Sequence, residues 1–329
     1  MISLVYLCLC FILLFLMIRF FMWLFSPIIS WMKGDTNKVY DSEKTFYDPQ
    51  SEEYHEFPSL NDPATIDLSI VIPAYNEENR MRSMLDATIH FLKEREEREK
   101  SNSHVFTWEI IIVDDGSRDN TKEIGYEYSK EYGVEHVRVL VEDHNRGKGA
   151  AVKWGMLRSR GKYCLMADAD GATKIEDEEA LEAYIVREKG HIAVGSRKVN
   201  NEETGTKRSP LRLFFMNGFH LCVEILSGIR NIRDTQCGFK LFSREAARVL
   251  FNTLHIYRWA FDIELLIIAS QMNYNVKEVA VHWEEVPGSK VSIISASITM
   301  LRDMAATRFA YLIGLWTIDS KQTFKSKSE

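Results

Sequence analysis

Two aspartates, Asp168 and Asp170, stand two residues apart directly after a short apolar segment that ends at Ala167. At the end of a strand, two such carboxylates can hold one divalent cation, because Mg²⁺ usually takes one or two carboxylates and completes its shell with phosphate oxygens. A solvated turn is the common alternative for two nearby aspartates. The metal interpretation therefore depends on the segments that the fold places beside this pair.

The segment Asn145-Arg-Gly-Lys-Gly149 has features of a phosphate-binding loop. Its glycines permit close approach of the backbone, the helix that it opens favours anions at its N-terminus, and Lys148 adds a positive charge. The spacing matches neither the G-x-G-x-x-G pattern of dinucleotide-binding loops nor the G-x-x-x-x-G-K-[ST] pattern of Walker loops. The segment therefore predicts a different phosphate site, with a solvated loop lysine as the alternative for Lys148.

Both segments follow predicted strands, and so do two further polar segments. Short apolar strands alternate with helices here, which is the pattern of a parallel α/β sheet, and ligands of such sheets bind beyond the carboxyl ends of the strands. The predicted strands span residues 68–72, 109–113, 137–141 and 163–167. The polar segments after them are Pro73–Glu77, Asp114–Ser117, His144–Gly149 and Asp168–Asp170. Four polar segments at one sheet edge favour a binding site there.

In this order, the segments resemble those of family 2 glycosyltransferases, which have the GT-A fold. The matching stretches are PAYNE at 73–77, VDDGS at 113–117, RGKGAA at 146–151 and ADADGAT at 167–173. The similarity continues through DTQCGFK at 234–240, RWAFDIE at 258–264, Trp283 and VPGSK at 286–290. DADGAT and DTQCGFKLF are most similar to the dolichyl-phosphate β-glucosyltransferase group. The resemblance implies an α/β GT-A fold, Rossmann-like, with a mostly parallel central sheet flanked by helices.

The resemblance implies an inverting transfer of glucose from UDP-glucose to dolichyl phosphate, which gives dolichyl β-D-glucosyl phosphate for N-glycan precursor assembly. It also implies roles for matching residues. Asp168 and Asp170 would hold Mg²⁺ or Mn²⁺, with Asp170 as the more direct ligand. The donor-binding residues would be Pro73, Tyr75 and Glu77 around the nucleotide, Asp115 on the uracil, Asp114 behind the pocket, and Lys148 and Asp168 near the donor phosphates.

The chemistry of the acceptor decides which further residues the site needs. A phosphate oxygen is largely ionised at neutral pH, since its second pKa is about 6, so it needs positioning cations more than a strong general base. Arg197 and Arg212 are the candidates for the acceptor phosphate, with Lys207 and Arg208 as weaker ones, although each arginine can equally be a surface residue. Asp234 is expected to orient the acceptor or an arginine, or to act as a base. The predicted catalytic residues are therefore Asp168, Asp170, Asp234 and Arg197.

The N-terminus carries an apolar run from Ile2 to Phe25, with Arg19 as its single charge. At about 1.5 Å per residue such a helix reaches roughly 36 Å, enough to cross a bilayer. A cleaved signal peptide is the alternative, but no basic residue precedes the run and its end is bulky rather than small. Arg19, Lys33 and Lys38 lie towards the C-terminal side, which by the positive-inside rule favours a cytosolic catalytic domain. We expect an uncleaved transmembrane signal anchor over residues 1–32, and the resemblance implies the endoplasmic reticulum membrane.

The other segments complete the predicted organisation. We expect a linker or stalk at 33–66, the GT-A domain at 67–290 and a polar tail at 319–329. Residues 291–318 place Arg302, Asp303 and Arg308 among apolar residues. This composition suits an amphipathic helix in the membrane interface, and packing on the protein core is the alternative.

Composition excludes one class of partner, and two functional alternatives stay open. The chain has 41 Lys+Arg against 47 Asp+Glu, a net charge of -6, and this acidic balance argues against nucleic acid as a partner. Another polyprenyl-phosphate glycosyltransferase, for example one with a GDP-mannose donor, is the first alternative, because the contacts to the sugar hydroxyls are not legible in the sequence. A non-catalytic membrane-anchored module that binds sugar nucleotides is the second, and the intact Asp115, Lys148, Asp168 and Asp170 argue against it.

Overall fold

The computed structural model describes residues 2–34, 38–100, 105–197, 224, 232–286 and 293–318. Within these residues the strands are β1 (Thr45–Asp48), β2 (Glu53–Glu56), β3 (Ile66–Ala74), β4 (Trp108–Asp114), β5 (Val137–Val141), β6 (Gly161–Ala167), β7 (Ile192–Ser196), β8 (Phe239–Ser243) and β9 (Val276–Ala280). The helices are α1 (Ile2–Leu24), α2 (Ser26–Met32), α3 (Met81–Lys100), α4 (Thr121–Tyr132), α5 (Lys148–Leu157), α6 (Glu178–Glu188), α7 (Arg244–Thr253), α8 (Phe261–Gln271) and α9 (Ile293–Leu312).

The central sheet has the order β5-β4-β3-β6-β8-β7-β9. Strand β3 pairs in parallel with both β4 and β6, and β4 pairs in parallel with β5. The carboxyl ends of these four strands therefore lie at one edge of the sheet, and they are the four strands predicted from the sequence. The expectation of an α/β fold with a mostly parallel central sheet is confirmed.

Alternate residues of the central strands point to opposite faces of the sheet, and each face carries its own hydrophobic cluster. Val71 of β3 packs in a cluster with buried residues of α5, α7, α8 and α9. Its neighbours Ile70 and Ile72 pack in a second cluster with buried residues of α3, α4 and α6. The helices thus enclose the sheet from both sides, and the strand ends stay open for a ligand.

Strand β8 runs antiparallel between β6 and β7. Its first residue, Phe239, pairs with Ala167, the last residue of β6. The segment that leads into β8 therefore arrives at the same edge where β6 ends. This register places Gly238 directly beside Asp168.

The expected linker at 33–66 is largely folded against the domain. Strands β1 and β2 form an antiparallel hairpin, and Phe46 and Phe57 bury their rings in the cluster that contains Val71. Arg158 Nε donates to the carbonyl oxygen of Glu43 at 2.9 Å. The two aromatic residues give this polar segment the apolar surface that it needs to pack.

The terminal helices meet each other. Within the described residues, no single helix meets the length and apolarity of a membrane span, but the bent pair Phe11–Leu24 and Ser26–Met32, at 63°, meets them together by length and composition. Helix α9 buries Met304 and Ala310 in the core, and its Phe309 contacts Phe25 with ring centroids 5.2 Å apart. One face of α9 therefore packs on the protein, while Ile298 and Leu312 stay exposed, and contact of this helix with the membrane interface stays a prediction. The predicted tail at 319–329 lies outside the described residues.

Candidate active site

A cleft of about 470 Å³ opens at the carboxyl edge of the sheet, between the end of β6 and the beginning of α3. Asp168 and Asp170 line it from the sheet side, and Arg80 and Ser83 line it from the side of α3. The cleft lies where the parallel strands predict a ligand site.

Asp168 faces a lysine of the predicted phosphate loop. Lys148, the first residue of α5, places its Nζ 2.5 Å from Asp168 Oδ1. Burial alone would lower the pKa of Lys148, but the negative charges of Asp168 and Asp262 raise it above its ordinary value. Lys148 therefore stays cationic beside the carboxylate, and the alternative of a solvated loop lysine does not fit its surroundings.

Asp170 faces an arginine that the sequence analysis did not single out. Arg80 Nη1 lies 3.7 Å from Asp170 Oδ2. The same guanidinium donates from Nε and Nη2 to the two carboxylate oxygens of Glu77, at 2.7 and 2.6 Å. Each aspartate of the pair thus has a cation of the protein beside it, which reduces the repulsion between the two carboxylates.

The donor atoms of this pair suit a hard divalent cation. Asp168 and Asp170 offer carboxylate oxygens at one mouth of the cleft, and within the part of the chain that the structure describes no group of three or more His, Cys, Asp or Glu side chains forms a closed metal site. Mg²⁺ usually keeps water and phosphate ligands beside one or two carboxylates. The residues therefore fit a metal ion whose remaining ligands come from a diphosphate. This is the role that was predicted for Asp168 and Asp170.

The loops after β3 and β4 are joined by hydrogen bonds. The backbone N–H of Asn76 donates to Ser117 Oγ at 2.9 Å, and Asn76 Oδ1 accepts from the backbone N–H of Arg118 at 2.8 Å. Asn76 has a φ of 55°, a conformation that asparagine tolerates. Tyr75 is 41% exposed, and Pro73 lies within β3. Two predicted nucleotide segments, PAYNE and DDGS, are therefore held together as one wall.

Asp114 and Asp115 are both buried at the end of this wall. Asp115 Oδ1 accepts from the backbone N–H of Arg146 at 2.6 Å, and its Oδ2 accepts from that of Gly147 at 3.0 Å. Burial raises the pKa of both Asp115 and Glu142, and the nearby charge of Asp115 raises that of Glu142 further. Asp115 fixes the turn that presents Lys148, and its contact with uracil stays a prediction.

Arg197 and Asp234 form a bidentate ion pair. Arg197 donates from Nε and Nη2 to Asp234 at 2.8 and 2.7 Å, and its backbone N–H donates to Asp234 Oδ2 at 3.0 Å. Burial alone would raise the pKa of Asp234, but these hydrogen bonds and the charge of Arg197 hold it below its ordinary value. Asp234 is therefore an ionised anchor for Arg197, which favours the orienting role over the role of a base.

Two further acidic residues of the RWAFDIE segment are buried and paired. Asp262 accepts from Lys240 Nζ at 2.6 Å. Glu264 accepts from the backbone N–H of Ile256 at 2.7 Å and from Tyr311 Oη at 3.1 Å. Glu264 thus ties the segment before α8 to helix α9. Neither residue lines the cleft, but the charge of Asp262 helps to keep Lys148 cationic.

Gly238 lies next to Asp168, and it was not among the predicted site residues. A Cβ atom at this position would lie 1.9 Å from Asp168 Oδ2, so only glycine leaves room for the carboxylate. The register of β8 produces this contact, and nothing in the local spacing indicates it. Arg80 had a weak signal, because it follows Glu77 by three residues at the beginning of a helix. The other predicted phosphate ligands, Lys207, Arg208 and Arg212, lie outside the described residues.

Comparisons with known proteins agree with this geometry. The family model described as glycosyl transferase family 2 matches residues 69–251. The dolichyl-phosphate beta-glucosyltransferase of Dictyostelium discoideum is 46% identical over 288 residues, which cover 85% of this chain and 86% of that protein. The proteins of the same name from Homo sapiens and Saccharomyces cerevisiae are 42% and 43% identical, and the alignments cover 85% and 80% of this chain and 86% and 81% of theirs.

Solved structures share the fold at low sequence identity. Glucosyl-3-phosphoglycerate synthase from Mycobacterium tuberculosis in complex with UDP has a TM-score of 0.52 at 17% identity, over 75% of this chain and 80% of that chain. Its complex with Mn²⁺, UDP-glucose and phosphoglyceric acid has a TM-score of 0.51 at 16% identity, over 75% and 79%. With the family match, these structures establish a GT-A-like α/β fold.

Proposed function

The chain belongs to glycosyl transferase family 2 and within it to the dolichyl-phosphate β-glucosyltransferases, and on that premise we propose that its cleft transfers glucose from UDP-glucose to dolichyl phosphate. The relatives are named for the transfer of glucose to dolichyl phosphate, and the identities of the sugar and the acceptor rest on those names. The nucleotide of the donor and the metal are our inference from the site. Proteins of this fold can form such a site, since the synthase described above binds UDP-glucose together with Mn²⁺.

The observation that carries the proposal is the meeting of two carboxylates and two cations at one mouth of the cleft. Asp168 and Lys148 are 2.5 Å apart, and Asp170 and Arg80 are 3.7 Å apart. This arrangement of opposite charges suits a diphosphate that is bound together with a metal ion. A reaction that expels a nucleoside diphosphate needs it, because negative charge grows on the leaving group.

In the proposed reaction, an oxygen of the acceptor phosphate attacks the anomeric carbon of glucose from the face opposite the diphosphate. The bond between that carbon and the β-phosphate oxygen breaks, and its electron pair leaves with UDP. Attack from the opposite face inverts the α-linked donor into a β-linked product. The acceptor phosphate is already ionised near neutral pH, so no protein base has to remove a proton first.

The residues of the chain would divide this work. Asp168 and Asp170 would hold a divalent cation, Mg²⁺ or Mn²⁺, which supplies positive charge to the departing diphosphate. Lys148 would lie between Asp168 and the donor phosphates. Arg197, oriented by Asp234, would receive the acceptor phosphate, because a guanidinium held in one plane binds phosphate through two parallel hydrogen bonds.

The membrane anchor and the location of the protein are part of the proposal. The side chains from Phe11 to Trp23 are exposed, and all of them except Arg19 are apolar. Such a surface suits contact with lipid acyl chains. We propose that residues 1–32 anchor the chain in the endoplasmic reticulum membrane with the catalytic domain in the cytosol. Protease added to sealed microsomes is expected to remove a tag at the C-terminus, and protection of that tag would contradict this orientation.

A panel of donors tests the function. Membranes that contain the chain are incubated with dolichyl phosphate, Mg²⁺ and radiolabelled UDP-glucose, UDP-galactose or GDP-mannose. We expect lipid-extractable label from UDP-glucose alone, and UDP-galactose serves as the matched control because it differs only at one hydroxyl. Label from GDP-mannose alone would overturn the proposed donor. Binding of UDP-glucose without any transfer would favour the non-catalytic alternative.

A further inference from the structure

The geometry points to Arg80 as a ligand of the donor's diphosphate, a role that rests on the proposed function. Arg80 stands immediately before α3, and its side chain is 21% exposed at the wall of the cleft. It faces Asp170 across the opening where the diphosphate would enter. No residue of α3 or of the turn before it was predicted to touch the phosphates.

Glu77 fixes the orientation of the Arg80 guanidinium. Its carboxylate accepts from Nε at 2.7 Å and from Nη2 at 2.6 Å, the paired geometry that arginine and carboxylate prefer. Glu77 is itself held, because its backbone N–H donates to Thr121 Oγ1 at 2.7 Å. The guanidinium is therefore preorganised before any ligand arrives, so binding costs little further side-chain entropy.

Nη1, the remaining nitrogen of Arg80, points towards the metal-binding carboxylates. Its distance to Asp170 Oδ2 is 3.7 Å, which is longer than a hydrogen bond. Burial alone would lower the pKa of Arg80, but the hydrogen bond to Glu77 and the charges of Glu77, Asp170 and Asp168 raise it. Nη1 is thus a charged donor with only a weak interaction with Asp170.

Charge balance explains what Arg80 does when the site fills. A divalent cation held by Asp170 would compete with the guanidinium for that carboxylate, and a diphosphate bound beside the cation would offer Nη1 a new negatively charged acceptor. Nη1 can then donate to a phosphate oxygen while Nε and Nη2 keep their bonds to Glu77. A guanidinium is suited to this task because it is always charged and binds phosphate directionally.

A purely structural role would have a different signature. If Arg80 only neutralised Asp170, its removal would change the affinity for the metal alone and would leave the affinity for UDP at saturating metal unchanged. If Arg80 binds the diphosphate, the affinity for UDP falls even when the metal site is full. The two affinities therefore separate the two roles without any measurement of turnover.

The test uses the full chain in detergent and two matched variants. Arg80→Met removes the proposed contact, and Arg82→Met removes an arginine two residues further along, whose side chain is 50% exposed and pairs with Glu127 at 2.5 Å. Binding of Mn²⁺ alone and of UDP at saturating Mn²⁺ is measured by calorimetry. We expect Arg80→Met to weaken UDP binding at least about tenfold, the loss of one charge-assisted hydrogen bond, and Arg82→Met to stay within about twofold of wild type.

If the dissociation constant for UDP is unchanged in Arg80→Met, the inference is overturned, whether or not the affinity for the metal changes. Thermal melting of both variants controls for folding, and if Arg80→Met does not fold, Arg80→Lys carries the same test with an intermediate loss expected and an unchanged value contradictory. Wild type that binds GDP and not UDP would instead overturn the proposed donor. The comparison of Arg80→Met with Arg82→Met would then be made with GDP, so the two failures stay distinguishable.

Discussion

Replacement of Gly238 by alanine should disable the site while the fold persists. The new Cβ would lie 1.9 Å from Asp168 Oδ2 and 2.2 Å from its Cγ, whereas real Cβ atoms essentially never approach other atoms closer than 3.0 Å. The carboxylate must therefore move by about 1 Å or more. A displacement of this size at reacting groups can cost about 100-fold in rate, or roughly 2.7 kcal/mol in activation free energy.

The displacement also separates Asp168 from Lys148, whose Nζ lies 2.5 Å from Oδ1. We therefore expect Gly238→Ala to lower the glucosyl-transfer rate about 100-fold and to weaken the binding of Mn²⁺ measured without donor. Binding of the metal is the more diagnostic of the two measurements, because it reports on the carboxylate pair directly.

Gly125→Ala is the matched control. Its Cβ would lie 2.9 Å from Val139 Cγ2, so it also crowds a neighbour, but between α4 and β5 and not at Asp168. We expect this variant to keep the transfer rate per folded molecule within about twofold, since its disturbance stays within the core. A Gly238→Ala protein with wild-type rate and wild-type Mn²⁺ affinity would refute the reasoning about Asp168.

Three further substitutions test the roles of buried carboxyl groups. Asp234→Asn should raise the KM for dolichyl phosphate about tenfold, because it weakens the ion pair that orients Arg197. The shape of the pH–rate profile should stay unchanged, and loss of its acidic limb would show that Asp234 acts as a base. Glu142→Gln should reduce the loss of thermal stability between about pH 6 and about pH 9. Burial raises the pKa of Glu142, so the folded state keeps a proton that the unfolded state releases, and folding weakens as pH rises. Equal losses in both proteins would contradict this raised pKa. Glu264→Gln should lower the free energy of unfolding by about 2 kcal/mol. The amide oxygen can keep the two backbone N–H groups that Oε2 accepts, but the amide nitrogen in place of Oε1 cannot accept from Tyr311 Oη. A denaturant midpoint equal to that of wild type would contradict this assignment.

The sequence predicts those site residues that lie at the carboxyl ends of the parallel strands. Asp114, Lys148 and Asp168 each stand directly after a buried strand or at the beginning of the helix that follows one, and parallel strands bring such positions to one edge. The pattern of apolar segments was therefore sufficient to place them near each other. It gave no distances, because side-chain pairing depends on packing that short-range patterns do not encode.

Contacts made by the non-parallel half of the sheet could not be predicted in this way. Gly238 meets Asp168 because β8 runs antiparallel beside β6, and the direction of a strand cannot be told from its own apolar residues. The pairing of Arg197 with Asp234 has the same origin, since the two residues are far apart in sequence. Residues 33–66 were expected to be a linker or stalk because the segment is polar and aromatic, but Phe46 and Phe57 of this segment are buried in the core of the domain.

The most direct test of the proposed reaction compares the wild-type chain with Asp170→Ala in the same membranes. Both are incubated with radiolabelled UDP-glucose, dolichyl phosphate and Mg²⁺, and the label in the lipid extract is measured at equal protein. Because Asp170 is the proposed direct ligand of the metal, wild type should produce labelled dolichyl glucosyl phosphate, and Asp170→Ala should lose at least about 99% of the rate. Equal rates in the two proteins, or no transfer from UDP-glucose by wild type, would contradict the proposed function of the cleft.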